Sequence, residues 1–199
     1  MGSLLNNYYN NRIMSIQQNQ SNIIYELYNH QCDGTSGTCI DTGIKLLSPD
    51  FRNRFEAIKI ELKFLPTEKN LVKAHVIRCN SATPHYPGFY IRYYSTSEHK
   101  YLIKYTASSN EFADYITYTP GTPLDFTIIF DFLNSEYTMM YNIEGGESYV
   151  KTYKITYYDS SFDVIPFTIG GSLANNTDAS GGWKEMWIGT IDKLIIKQI

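Results

Sequence analysis

Polar and apolar positions alternate with a period of two along most of this 199-residue chain. The clearest case is FEAIKIELKF (55–64), in which four apolar side chains from Ile58 to Phe64 are separated by single charged ones. A period of two places one face of an extended segment against a core and the other in water. This segment is therefore predicted to be a half-buried β-strand.

Segments of the same character follow at short intervals. They are LVKAHVIRC (71–79), GFYIRYY (88–94), YLIKYTA (101–107), DYITYT (114–119), LDFTIIFDF (124–132), YTMMYNI (137–143), SYVKTYKIT (148–156), FTIGGS (167–172) and MWIGTIDKLIIKQI (186–199). Turn-forming pairs such as Pro120-Gly121 and Asn134-Ser135 separate them. Many short strands without an intervening helical pattern predict an all-β fold, an antiparallel sandwich or barrel.

The chain ends on an apolar strand, GTIDKLIIKQI (189–199). An apolar terminus left in water would fray or aggregate, so we expect this strand to be held by neighbours on both sides. Strict alternation would place Leu194 and Ile196 on one face together with Asp192, and Ile191 and Ile195 on the other.

The first 22 residues have a different pattern. Their apolar residues fall at helical spacing, at Leu4, Leu5, Tyr8, Tyr9, Ile13 and Ile16. The four asparagines between Leu4 and Ile16 are poor helix formers. Residues 1–22 are predicted to be an appendage, either a short amphipathic helix that docks on a partner or sister subunit, or an extended flexible arm. Residues 23–199 are predicted to form one sandwich domain.

Composition and charge argue against some classes of function. With 43% hydrophobic residues, the chain is long enough to bury a substantial core as one domain. A net charge of -3 and scattered Lys and Arg residues argue against nucleic-acid binding. No stretch approaches the roughly 20 apolar residues of a membrane span, and the first residues lack a signal-peptide pattern, so we expect no membrane insertion.

The order of four segments carries a family resemblance. They are CIDTGIKL (39–46), FTIIFDF followed by YTMMYNIEGG (126–146), FTIGGS (167–172) and WIGTIDKLII (187–196). This order resembles the laminin-G-like, concanavalin A-like jelly-roll domains over about residues 23–199. The resemblance implies an antiparallel two-sheet jelly-roll sandwich whose first and last strands lie close together.

Within that family the chain is similar to domains of bacteriophage virion proteins, in tail or head fibres, and of gut-bacterial surface proteins. The resemblance implies a non-catalytic module for carbohydrate adhesion or virion assembly. The leading hypothesis is a phage structural or adhesion protein, made in the host cytoplasm and displayed on the virion surface. Residues 1–22 would then tie it to other virion proteins or to sister copies in a homo-oligomer. The alternative is a free-standing carbohydrate-binding module of a bacterial surface or secreted protein.

Catalysis is not expected. A retaining glycosidase needs two carboxylates about 5 Å apart, and the Glu-x-Asp-x-x-Glu arrangement of related glucanases is absent from the sequence. A glycoside hydrolase is therefore the least favoured alternative. The four histidines are dispersed without metal-ligand spacing and are expected to be exposed or loosely packed.

The segment SLANNTDASGGWKEMW (172–187) is one candidate ligand site. Asn175, Asn176 and Asp178 supply oxygen ligands of the kind that calcium accepts, so calcium is the candidate cofactor. The ring of Trp183 offers a face on which a sugar can stack. The alternative is a polar hairpin whose tryptophans pack over the edge of the sandwich.

The aromatic-rich segment NSATPHYPGFYIRYY (80–94) is the second candidate. Tyr86 and Tyr90 are candidate contacts for a host-surface glycan, while core packing is expected to claim about half of the aromatic residues in this segment.

Cys32 and Cys39 flank the polar segment DGTSGT. On facing hairpin arms in an oxidising compartment they would form a disulfide, and in a reducing compartment they would remain two thiols. Cys79, at the end of a predicted strand, is expected to be a small buried residue.

Overall fold

The computed structural model describes residues 22–67, 73–79, 88–95, 99–107, 110–143, 148–155, 166–173 and 183–199. In this part of the chain, two six-stranded antiparallel sheets form, with a short two-stranded hairpin beside them. Strands are numbered here in chain order.

Sheet I contains the two terminal strands and most of the clearly alternating segments. Its spatial order is β1 (Ile23–Asp33), β14 (Ile188–Gln198), β3 (Ala57–Pro66), β8 (Leu124–Asp131), β9 (Glu136–Ile143) and β10 (Ser148–Lys154).

Sheet II contains β2 (Ile40–Asp41), β11 (Thr168–Ile169), β4 (His75–Cys79), β5 (Gly88–Ser95), β6 (Lys100–Ala107) and β7 (Asn110–Thr117), in that order. The extra hairpin pairs β12 (Ser172–Leu173) with β13 (Trp183–Lys184). A 3-10 turn, Ser36–Thr38, and a one-turn helix α1, Pro49–Arg52, lie in the connections.

The alternation that predicted the strand at 55–64 is confirmed by the burial of β3. Its inward side chains, from Ile58 to Phe64, are fully buried, and the charged residues between them face outward. The neighbouring β8 repeats the pattern, and pairs such as Ile60 with Ile128 and Leu62 with Phe126 stand opposite each other. Side chains of this kind stabilise a sheet by cross-strand packing.

The two sheets pack face to face through their aromatic side chains. The rings of Phe64 in sheet I and Tyr101 in sheet II have centroids 5.2 Å apart, and those of Phe130 and Phe89 are 5.8 Å apart. Such edge-to-face arrangements add to the free energy of apolar burial. The predicted all-β, two-sheet antiparallel sandwich is confirmed.

The C-terminal strand lies inside a sheet, as predicted. β14 pairs with β1 on one side and with β3 on the other, so the first and last strands are neighbours. The predicted alternation within it is wrong, because a β-bulge between Ile191 and Lys193 shifts the register by one residue. Ile191 therefore shares the buried face with Leu194 and Ile196.

Three other segments differ from the sequence-based expectation. β1 was not predicted as a strand, because an edge strand carries polar residues on both faces. The segment 167–172 forms two short strands separated by Gly170 and Gly171, and 39–46 contributes only the two residues of β2. Glycine pairs commonly mark such interruptions of a strand.

Residues 1–21 lie outside the described residues, so the predicted arm or helix remains a prediction. Within the described ranges, no helix is long and apolar enough to cross a membrane.

Candidate functional site

The outer face of sheet II carries the candidate site. β5 buries every second side chain, from Phe89 to Tyr93, in the core between the sheets. Because side chains alternate along a strand, Tyr90, Arg92 and Tyr94 point to the opposite side, away from that core.

Strand register aligns outward residues of neighbouring strands in two rows. In the first row, Tyr90 pairs with Arg78 of β4 and with Lys104 of β6. Neighbouring strands are about 4.8 Å apart, so these side chains are immediate neighbours. We call the surface formed by Arg78, Tyr90, Arg92 and Lys104 the arginine face.

The second row runs parallel to the first. Arg92 pairs with His75 of β4 on one side and with Leu102 of β6 on the other. Leu102 in turn pairs with Tyr115 of β7. The second row therefore continues the arginine face toward the edge of sheet II.

Tyr90 lies at the centre of the arginine face. The Arg92 guanidinium carbon is 5.0 Å from the centroid of the Tyr90 ring, which is cation–π distance. The His75 ring meets the same ring edge-on at 5.3 Å. Within the described residues, the buried Nε atoms of Arg78 and Arg92 have no hydrogen-bond partner. Two guanidinium groups therefore lie beside one aromatic ring.

Glu185 closes one end of the face. Its Oε2 atom lies 3.1 Å from His75 Nδ1 and accepts hydrogen bonds from Arg78 Nη1 at 3.4 Å and Ser172 Oγ at 3.2 Å. The hydrogen bond from His75, helped by the positive charge of Arg78, lowers the pKa of Glu185 to about 2. Glu185 is therefore ionised at neutral pH and orients the Arg78 guanidinium.

His75 contradicts the expectation that the histidines are exposed or loosely packed, since it is only 2% exposed. Burial lowers its pKa, which favours the neutral ring at pH 7. The backbone nitrogen of His75 also donates to the Glu185 carbonyl oxygen at 2.9 Å, which links β4 to the segment before β14.

The arginine face carries several positive charges. Arg78, Arg92 and Lys104 lie on it together with the carboxylate of Glu185. Guanidinium groups bind carboxylates through planar, bidentate hydrogen bonds, and a tyrosine ring presents an apolar face to a ligand. The arrangement suits a ligand that combines an anionic group with a ring.

Of the residues proposed from the sequence, the structure places Tyr90 on this face. Trp183 lies in β13, where its backbone pairs with Leu173, but its side chain is outside the described part. The remaining proposed contacts also lie outside the described residues: Tyr86, Asn175, Asn176 and Asp178. Among the described residues, no group of three or more His, Cys, Asp or Glu side chains could hold a metal ion.

The aromatic residues of the two candidate segments divide between core and surface. Phe89 and Tyr93 are buried, whereas Tyr94 is 40% exposed. Trp187 is fully buried in the core, where its Nε1 donates a hydrogen bond to Tyr101 Oη at 2.9 Å.

Cys32, Cys39 and Cys79 are free thiols in the structure, and Cys79 is buried as predicted. Burial raises the pKa of Cys32 to about 12 and that of Cys39 to about 11. The Cys39 thiol donates a hydrogen bond to the Gly170 carbonyl oxygen at 3.3 Å. Because the thiolate is the reactive form, both groups would exchange slowly at neutral pH.

Sequence reasoning missed Arg78, Arg92, Lys104 and Glu185 as site residues. The signal for Arg92 was present, because the alternation in GFYIRYY already puts positions 90, 92 and 94 on one face. Arg78 lies close to Arg92 and Glu185 because of strand pairing. The local alternation of polar and apolar residues does not predict this pairing.

This two-sheet arrangement is a jelly-roll, concanavalin A-like sandwich, and solved structures share the fold. The carbohydrate-binding module CBM40 of the Ruminococcus gnavus IT-sialidase, bound to α2,3-sialyllactose, aligns with a TM-score of 0.57 at 14% identity, over 88% of this chain and 91% of that chain. The same module bound to α2,6-sialyllactose aligns with a TM-score of 0.55 at 13% identity, over 88% and 92%.

The NanB sialidase of Streptococcus pneumoniae aligns with a TM-score of 0.57 at 14% identity, over 89% of this chain and 27% of that enzyme. No protein-family profile and no curated protein sequence matches the chain. At such low identities the comparisons establish the fold alone.

Proposed function

We propose that this chain is a non-catalytic glycan-binding module that recognises a carboxylate-bearing sugar on the arginine face. The observation that carries the proposal is the placement of Arg78 and Arg92 on adjacent strands beside the Tyr90 ring. Neighbouring guanidinium groups bind a carboxylate through charge-assisted, bidentate hydrogen bonds.

A sialylated glycan fits this chemistry. Its terminal sugar combines a carboxylate, which the guanidinium groups would bind, with a ring that would pack on Tyr90. Glu185 would hold Arg78 in place and accept hydrogen bonds from sugar hydroxyls. The R. gnavus module of the same fold was solved with sialyllactose, which supports this choice of ligand.

The proposal is tested by titrating the protein with α2,3-sialyllactose, α2,6-sialyllactose and lactose in a calorimeter. We expect binding of the sialylated sugars and none of lactose, because lactose has no carboxylate. Arg92→Ala is expected to weaken binding by about 10- to 100-fold, the loss typical of one charged hydrogen-bonded contact.

Arg54→Ala is the matched control, because the Arg54 guanidinium also lies over an aromatic ring, that of Phe55, at 5.3 Å, but away from the arginine face. We expect it to bind like the unchanged protein. Equal binding of lactose and sialyllactose, or equal losses in the two variants, would contradict the proposal.

The same mixtures test the absence of catalysis. Incubation of the protein with sialyllactose is expected to release no free lactose, as followed by chromatography. Release above that in a buffer control would show hydrolysis and would replace the binding-module proposal with that of an enzyme.

The proposed setting is the surface of a phage particle, with residues 1–22 as the attachment to other virion proteins or sister copies. A bacterial cell-surface or secreted protein is the alternative. Deletion of residues 1–22 distinguishes them: loss of oligomerisation or of particle incorporation supports the virion setting, and unchanged glycan binding by a monomer supports the alternative.

Repeating the titration with calcium and with a chelator tests the calcium ligands proposed at Asn175, Asn176 and Asp178.

A further inference from the structure

Two exposed tyrosines continue the arginine face on its side toward the edge of sheet II. Tyr94 of β5 is 40% exposed and Tyr115 of β7 is 51% exposed. Their ring centroids are 4.8 Å apart with an interplanar angle of 68°, so the two rings form a corner. Large aromatic side chains held together on a surface present apolar area that a ligand can cover.

Tyr94 and Tyr115, which we call the tyrosine corner, are held in place by their neighbours. A hydrogen bond between the two hydroxyls raises the pKa of Tyr115, while the positive charges of Arg92 and Lys104 lower it. Two of the three cations of the arginine face, Arg92 and Lys104, therefore act on the Tyr115 hydroxyl. Ring packing and the hydrogen bond together limit the freedom of the side chains, which reduces the entropy lost when a ligand binds.

An apolar side chain connects the corner to the arginine face. Leu102 points to the outer side of sheet II, because its neighbours Tyr101 and Ile103 are buried in the core between the sheets. It is nevertheless only 3% exposed, and in the register it lies between Arg92 and Tyr115. The surface from Arg92 to Tyr115 thus has a continuous apolar base.

The distance along this row fits more than one sugar. Arg92 and Tyr115 are separated by two strand spacings, about 10 Å, which is roughly the length of a disaccharide. A sugar whose carboxylate binds the arginines would direct its linked neighbour along the row. A neutral pyranose has an apolar face of C–H groups, and this face matches a tyrosine ring.

We propose that Tyr94 and Tyr115 form a second subsite, which binds the neutral sugar next to the carboxylate-bearing one. This inference rests on the proposed function, and it makes the preferred ligand an oligosaccharide rather than a single anionic sugar. The subsite supplies affinity through ring stacking, and the arginine face supplies the requirement for a carboxylate.

The test compares the methyl α-glycoside of N-acetylneuraminic acid with α2,3-sialyllactose, each titrated into the full-length protein. The unchanged protein is expected to bind sialyllactose about tenfold more tightly, the gain expected from about 50 Å² of additional apolar contact. Tyr115→Ala is expected to remove most of this difference and leave the affinity for the monosaccharide glycoside unchanged.

Two further variants sharpen the comparison. Tyr115→Phe keeps the ring and loses the hydroxyl, so it is expected to retain most of the preference for sialyllactose. Tyr28→Ala is the matched control, because Tyr28 is also 51% exposed but lies on β1 of sheet I. It is expected to leave both affinities unchanged.

The outcomes separate the two proposals. Equal affinity of the unchanged protein for the two ligands, or an unaltered preference in Tyr115→Ala, overturns the second subsite and leaves the carboxylate-binding function standing. Absence of binding to both ligands overturns the proposed function and the subsite with it.

Discussion

A single glycine shows how closely the core of this sandwich is packed. A Cβ atom at Gly189 would lie 2.4 Å from the ring atoms Cζ2 and Cη2 of Trp187 and 2.7 Å from the carbonyl oxygen of Leu65. No side chain can occupy that position unless both the Trp187 ring and the Leu65 backbone move, and the ring is held by its hydrogen bond to Tyr101. The residue at 189 therefore has to be glycine for reasons of space.

Gly189→Ala is expected to lower the free energy of unfolding by about 1–3 kcal/mol, the range for an overpacked core. Urea unfolding followed by tryptophan fluorescence measures the change. Gly37→Ala is the control, because a Cβ there meets only Thr35 Oγ1 at 3.7 Å, and its unfolding should be unchanged. Equal midpoints for the two variants would contradict the packing argument.

At the scale of the element, three lysines on the outer face of sheet I surround the carboxylate of Glu61. Lys193 Nζ lies 2.6 Å from Glu61, and Lys59 Nζ and Lys197 Nζ each lie 2.8 Å from it. Burial alone would raise the pKa of Glu61, but the hydrogen bonds from the three lysines outweigh it and place the pKa well below its usual value of 4.5. Glu61 thereby ties β3 to β14.

Because folding lowers the pKa of Glu61, the contribution of Glu61 to the free energy of unfolding falls as the pH falls. The unfolded chain takes up a proton at Glu61 at a higher pH than the folded chain, so the stabilisation is complete above about pH 5 and is lost as the pH falls below 4.5. Glu61→Gln is expected to be less stable by about 1–2 kcal/mol at pH 7.

Urea unfolding at pH 7 and pH 3 measures this difference, which should shrink at the lower pH. Glu56→Gln, at an exposed position, is the control and should match the unchanged protein at both pH values. A difference that is the same at pH 3 and pH 7 would contradict the role given to Glu61.

At the scale of the whole molecule, the two sheets are tied together at one open edge. Asp114 of β7 in sheet II forms an ion pair with Lys151 and accepts a hydrogen bond from Tyr153 Oη at 2.9 Å, both from β10 of sheet I. The Asp114 side chain is only 12% exposed. A partly shielded contact of this kind contributes more than a fully exposed ion pair.

Asp114→Asn is expected to lower the free energy of unfolding by about 1–2 kcal/mol, because it keeps the shape of the side chain but removes its charge. Glu136→Gln is the control, since its ion pair with Lys154 lies within sheet I and is more exposed; we expect a change below about 0.5 kcal/mol. Urea unfolding at pH 7 measures both, and a larger loss in the control would contradict the proposed tie.

The fold class and most of the strands could be predicted from the amino-acid sequence. Alternation in segments such as β3 and β8 is a local consequence of the extended backbone, so it can be read without knowing what lies beside the strand. The last strand was assigned to the interior of a sheet from its apolar composition, and β1 and β3 pair with it on its two sides. The bulge at Ile191 could not be predicted, because it is defined only by the partner strand.

The candidate site depends on contacts that form only in the folded chain. Arg78, Arg92 and Glu185 are distant in sequence, and they meet because β4 pairs with β5 and because the segment before β14 returns to β4. Strand pairing and register depend on the packing of the whole chain. Local alternation predicts which side of a strand a residue faces, whereas strand pairing determines which residues it contacts there.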